Sequence, residues 1–85
     1  MSKPEIKRID DAEPTLKEMQ EYVGGYIEVV YINDESEMVI DEEGKLKGKS
    51  VNKEATTIAH EHQAIFNDDY IAGDVMLLSG KARRS

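Results

Sequence analysis

Hydrophobic positions change period several times along the chain. Leu16, Met19 and Val23 recur at helical spacing. Thr15 and Glu18 stand at the spacing of a capping box, and Gly24 supplies a stop, so a helix is predicted between them. From Tyr26 the period becomes two. Tyr26 to Ile32 is β-branched and aromatic, with Ile27, Val29 and Tyr31 on one face and Tyr26, Glu28, Val30 and Ile32 on the other. Apolar groups on both faces predict a central strand. Asn33 to Ser36 is a turn, and Glu37 to Asp41 returns antiparallel. A second turn follows, with Gly44 at positive φ, and Lys45 to Lys49 reads as a weak third strand or an extended loop. Asn52 opens a second helix as N-cap, with Ala55, Ile58, Ala59, His62 and Ile65 or Phe66 at helical spacing up to Asn67. Tyr70 to Ser79 is the last strand, kinked or bulged at Gly73-Asp74. Glu5 to Asp10 suits a short edge strand.

These elements predict an α+β fold: a small, mainly antiparallel sheet of three to five strands packed with two helices. The 85 residues make a single domain, 1–85, with 1–10 and 81–85 as flexible or edge segments. A chain this short buries only about 60% of its extended surface. Trp is absent and Phe occurs once, so the core rests on aliphatic residues, Met and Tyr. A homo-oligomer would relieve that shortage.

Absence of cysteine removes disulfides and thiolate metal sites and fits a cytoplasmic setting. The longest aliphatic run, Val75-Met-Leu-Leu78, is far too short to span a membrane, and no secretory leader follows Met1. With 18 acidic and 11 basic side chains the net charge is -7, which disfavours direct nucleic-acid and anionic-membrane binding. Solubility is the plainer meaning of that charge; mimicry of DNA or attraction to a basic protein is the sharper one. Lys81 to Arg84 reverses the sign and reads as a solvated tail.

Candidate chemistry is sparse. His60 and His62 lie two residues apart, roughly 200° around a helix, and a zinc-binding helix needs i and i+4. His62 is expected on the buried face and His60 in solvent, and no metal is expected. No serine or threonine sits in a nucleophile motif, and neither phosphate-cradling nor dinucleotide glycine loops occur, so no catalytic residue, no cofactor and no enzyme activity are expected. Binding candidates are Gly25, Tyr26, Glu28, Asn52, Lys53 and Asp74. One glycine suffices to end the first helix, which leaves Gly25 for a close strand crossing or a pocket edge. Tyr26 beside it can stack on a ring, although such tyrosines more often fill a core. Glu28 is a functional acid or the partner of a neighbouring lysine. Asp74 accepts from a ligand or from local amides. Asn52 and Lys53 begin a helix, where an anion can dock near Lys47 and Lys49, yet an N-cap role alone accounts for Asn52.

From Pro4 to Gly80 the chain resembles a family of small uncharacterised proteins of bacteriophages and other mobile elements. Thr15-Leu-Lys-Glu-Met-Gln20, Val23-Gly-Gly-Tyr-Ile-Glu-Val-Val30, Asp41-Glu-Glu-Gly44, Asn52-Lys-Glu-Ala-Thr56 and Ile71-Ala-Gly-Asp-Val75 carry the likeness. The family begins with a further apolar strand before Pro4, which this chain lacks or replaces. The resemblance implies a noncatalytic accessory protein in the bacterial cytoplasm that counteracts host defence. Its partner is then a nucleotide-derived signal sequestered at the seams of a homo-oligomer, or a host defence protein bound by acidic surface. A structural or regulatory phage role is the bland alternative. A continuous acidic stripe would favour mimicry of DNA, and a concave pocket of mixed charge would favour the small molecule.

Overall fold

The computed structural model describes residues 3–83. Its elements are β1 (Ile6–Ile9), α1 (Leu16–Val23), β2 (Ile27–Asn33), β3 (Ser36–Asp41), α2 (Lys53–Glu61) and β4 (Val75–Ser79), closed by a 3-10 turn over Gly80–Ala82. The four strands form one sheet in the order β1-β4-β3-β2. The β2–β3 and β3–β4 pairs are antiparallel, and β1 runs parallel to β4. The fold is α+β with a mostly antiparallel sheet.

One helix covers each face of the sheet. Alternation along β3 and β4 divides their side chains between the two sides. Val39, Met76 and Leu78 meet Met19 and Val23 of α1, with Ala82 from the closing turn. Met38 and Val75 meet Ala55 and Ala59 of α2, with Ile32 and Ile71. The two central strands are therefore the apolar runs Met38-Val-Ile40 and Val75-Met-Leu-Leu78, buried on both faces as such runs should be.

Helix α1 begins as its residues dictate. The Thr15 hydroxyl accepts from the Glu18 amide at 3.1 Å, and the Glu18 carboxylate accepts from the Thr15 amide at 3.0 Å. The bond from the Thr15 backbone amide holds the Glu18 carboxyl below its ordinary range. Gly24 ends the helix at φ 90°. Asn52 caps α2, its Oδ1 accepting from the Ala55 amide at 3.0 Å.

Six expectations are corrected. Strand β2 lies at the sheet edge, not its centre, because its two-sided apolar pattern is only half covered: Val29 and Tyr31 are exposed. Residues 45–48 form turns, neither a strand nor an extended loop, and the positive φ falls at Gly48 (71°), not Gly44. Gly44 is buried instead, where a Cβ would meet the Ala72 carbonyl oxygen at 3.0 Å. Helix α2 stops at Glu61, since Gln63 turns to φ 55°, and the last strand starts only at Val75. The histidines exchange roles: His62 is exposed, and half-buried His60 places Nε2 2.9 Å from the Asp69 carbonyl oxygen.

The start of α2 is stitched by one side chain to the segments that lead into β1 and β4. Buried Asn52 donates from Nδ2 to the Glu5 carbonyl at 3.1 Å and to the Gly73 carbonyl at 2.9 Å. Removing it strips a cap and two tethers. Asn52→Ala is expected to cost about 2 kcal/mol in urea unfolding, and Asn52→Ser, which keeps the cap acceptor, about 1 kcal/mol less. Equal losses in the two variants would mean that the tethers alone matter.

Candidate functional site

Most of the polar chemistry gathers at one end of the sheet. There β2 and β4 begin, β3 ends, α1 ends and α2 begins, and the loop 42–51 closes over them. At its centre is Asp41, the last residue of β3, only 4% exposed. Its Oδ2 lies 2.9 Å from Lys47 Nζ and 2.7 Å from Lys49 Nζ, and its Oδ1 accepts from the Glu43 amide at 2.8 Å. Burial is the largest single influence and pushes the carboxyl upward. The bonds from Lys49, Lys47 and the Glu43 amide together outweigh it and bring the pKa down to about 2.

The same two ammonium groups cap the C-terminus of α1. Lys47 donates to the Gly24 carbonyl at 3.0 Å, and Lys49 donates to the Val23 carbonyl. Cations at that end complement the helix dipole and satisfy carbonyls that the helix leaves open. Glycines make the approach possible. A Cβ on Gly25 would stand 2.4 Å from Lys47 Nζ and 3.2 Å from Asp41 Oδ1. A Cβ on Gly73 would stand 2.8 Å from Lys49 Cδ. Gly25 is therefore a point of close approach, and what approaches is a lysine from the chain's own loop.

The other candidates divide between this cluster and the surface. Tyr26 is exposed at the rim, in a shallow depression with Gln20, Glu43 and Lys47. All three side-chain hydrogen bonds of Asn52 are internal. Asp74 accepts from the Glu5 amide at 2.9 Å and so anchors β1. Lys53 is exposed at the first turn of α2, beside a cavity of about 510 Å³ that Lys3, Ser50 and Val51 also line.

Glu28 opens on a second cleft, of about 200 Å³, on the α2 side of the sheet. Sequence reasoning did not single out the two residues that define it. Lys45 pairs with Asp69, and its Nζ stands 4.7 Å from the centre of the Tyr70 ring. The bond to Asp69 raises the Lys45 pKa; the bonds from Lys45 and from the Tyr70 amide lower that of Asp69. Glu42 joins Glu28 on the rim. Lys45 and Asp69 are 24 residues apart in a turn and a loop, and no local pattern links them.

Among the described residues, no group of three or more His, Cys, Asp or Glu side chains has the arrangement of a metal site. No helix there is long and apolar enough to cross a membrane. Arg84, grouped above with the basic tail, lies outside the described residues; Lys81 and Arg83 flank buried Ala82, and Arg83 donates to the Asp34 carbonyl.

Residues 1–84 match the family described as a domain of unknown function, DUF3846. The chain belongs to the DUF3846 family. No curated protein and no solved structure matches it.

Two outcomes test the ion cluster in this DUF3846 chain. Gly25→Ala is expected to fold, at a cost of about 1 kcal/mol, because the flexible end of Lys47 must leave Asp41. In Lys47→Ala the same glycine change should cost far less, and additive losses in the double mutant would sink the steric account. The second outcome concerns pH. The folded-state pKa of Asp41 lies below its ordinary 3.8, so its ionised form stabilises the fold above about pH 4. That contribution, about 2 kcal/mol, drains away as pH falls from about 4 towards 2. Asp41→Asn should be less stable at neutral pH and should flatten the acid limb of the stability curve.

Proposed function

We propose that this chain is a noncatalytic binding protein, and that the cleft between Glu28, Lys45, Asp69 and Tyr70 takes a cationic segment of a partner protein. One observation carries the reading. The Tyr70 ring and the Asp69 carboxylate already hold an ammonium, that of Lys45, while Glu28 and Glu42 add carboxylates around it. A partner's Lys or Arg can displace Lys45 from Asp69 and Tyr70, or pair with Glu28 and Glu42 beside them. The net charge of -7 steers the same kind of partner.

The basic groups that favoured a phosphate ligand are engaged within the fold. Lys47 and Lys49 hold Asp41 and the end of α1, and the Asn52 amide holds Glu5 and Gly73. A second reading keeps a nucleotide-derived ligand at the cavity by the start of α2, where Lys3 and Lys53 both stand. In the phage or mobile-element setting that the sequence resemblance implies, either mode disarms by occupation: a host defence protein at the first site, a signalling nucleotide at the second.

Calorimetry separates the two. Short Lys- and Arg-containing peptides, cyclic dinucleotides and ADP-ribose derivatives are titrated in turn at low and high salt. Peptide binding is expected, weakened by salt, and weakened about tenfold, or ~1.4 kcal/mol, in Asp69→Asn. Heat from nucleotides alone, abolished in Lys53→Ala, would move the site to α2. No heat from any of them would overturn both.

A further inference from the structure

The two edges of the sheet are built differently. Strand β1 has four residues, and its middle pair is Lys7-Arg8. Short length and exposed cations are ordinary protections against pairing with another chain. Strand β2 has seven residues, Ile-Glu-Val-Val-Tyr-Ile-Asn, with no proline, no lysine and a single charge at Glu28. Val29 is 37% exposed and Tyr31 63%, and Phe66, 83% exposed, stands at the groove beside them.

Backbone direction on this edge follows from its inner neighbour. The Glu42 amide donates to the Tyr26 carbonyl at 2.9 Å, so Tyr26 and Glu42 are a hydrogen-bonded pair. Hydrogen-bonded and open pairs alternate in an antiparallel ladder. Glu28 with Ile40 and Val30 with Met38 are then bonded pairs, and the amides and carbonyls of Ile27, Val29 and Tyr31 point away from β3.

We infer that β2 is the seam of a homodimer, pairing antiparallel with β2 of a second copy about a two-fold axis at Val30. In that register Val29 lies opposite Tyr31 of the second copy, and both have outward backbone groups, so each pair exchanges two hydrogen bonds. A β-branched residue opposite an aromatic one is a favourable cross-strand neighbour. Glu28 lies opposite Ile32, and the two Glu28 side chains fall four residues apart, roughly 14 Å along the strands and beyond the ~8 Å screening length at physiological salt. Tyr31 and Phe66 together offer on the order of 300 Å² of aromatic surface, a substantial part of the ~800 Å² per partner in a stable interface. A second copy supplies outward backbone partners for Val29 and Tyr31, and the two sheets become one of eight strands. The inference does not depend on what the cleft binds.

Sedimentation of the full chain is expected to give twice the chain mass. Because both copies carry net negative charge, dimerisation should strengthen with salt, opposite to the binding of a cationic segment. Val29→Lys is expected to weaken dimerisation at least tenfold with an unchanged circular dichroism spectrum. The chain has no cysteine, so a single one reports register without background. Val30→Cys should cross-link to a dimer on mild oxidation, and Lys7→Cys on the opposite edge should not. A monomer at all concentrations overturns the proposal, as does a dimer that Val30→Cys fails to trap or that Lys7→Cys traps equally well.

Discussion

A carboxylate removed from water must be compensated where it lies, and Asp41 organises the fold around that requirement. Its partners come from the loop that follows it, so the loop 42–51 must return across the end of the sheet. Because the same ammonium groups reach the last carbonyls of α1, one ion cluster fixes the loop, the helix end and the entry to β2 together. Replacing a buried pair by apolar groups is often neutral, whereas removing one partner is costly. The cluster thus fixes an arrangement, and its cost shows when one partner of Asp41 is lost.

Local chemistry was readable along the chain, and long-range chemistry was not. The capping box at Thr15 and Glu18, the stop at Gly24, the turn at Asn33 and the cap at Asn52 each depend on residues within four positions of one another. Strand order does not. The pattern of β2 suits a central strand, and only the position of β4 between β1 and β3 places it at the margin. Gly25 could be recognised as one glycine more than a helix stop needs. That a lysine 22 positions later uses the space is a tertiary fact. Lys45, Asp69 and Tyr70 carry no spacing signature at all, because their cleft is assembled from two separate loops.

Charge on the surface is what remains after the interior has taken its share. Lys45, Lys47, Lys49 and Arg83 are each engaged with an internal acceptor. Their donors are taken up within the fold, while their charge still counts in the net -7.

The parallel pairing of β1 with β4 has a consequence for how the chain acquires its shape. Ile6 meets Val75, and the Glu5 carbonyl accepts from the Val75 amide at 3.0 Å. Strand β1 has no sheet neighbour until β4, the last strand of the sheet, has been made, and β3 lacks one of its two neighbours for as long. The β2–β3 hairpin can form early, but neither layer of the core can close around it. Bringing β1 and β4 together closes a loop of most of the chain, the kind of long-range step that slows folding. Until β4 arrives, the nascent chain displays unpaired strand edges, the state in which a small domain most needs to be kept from its neighbours.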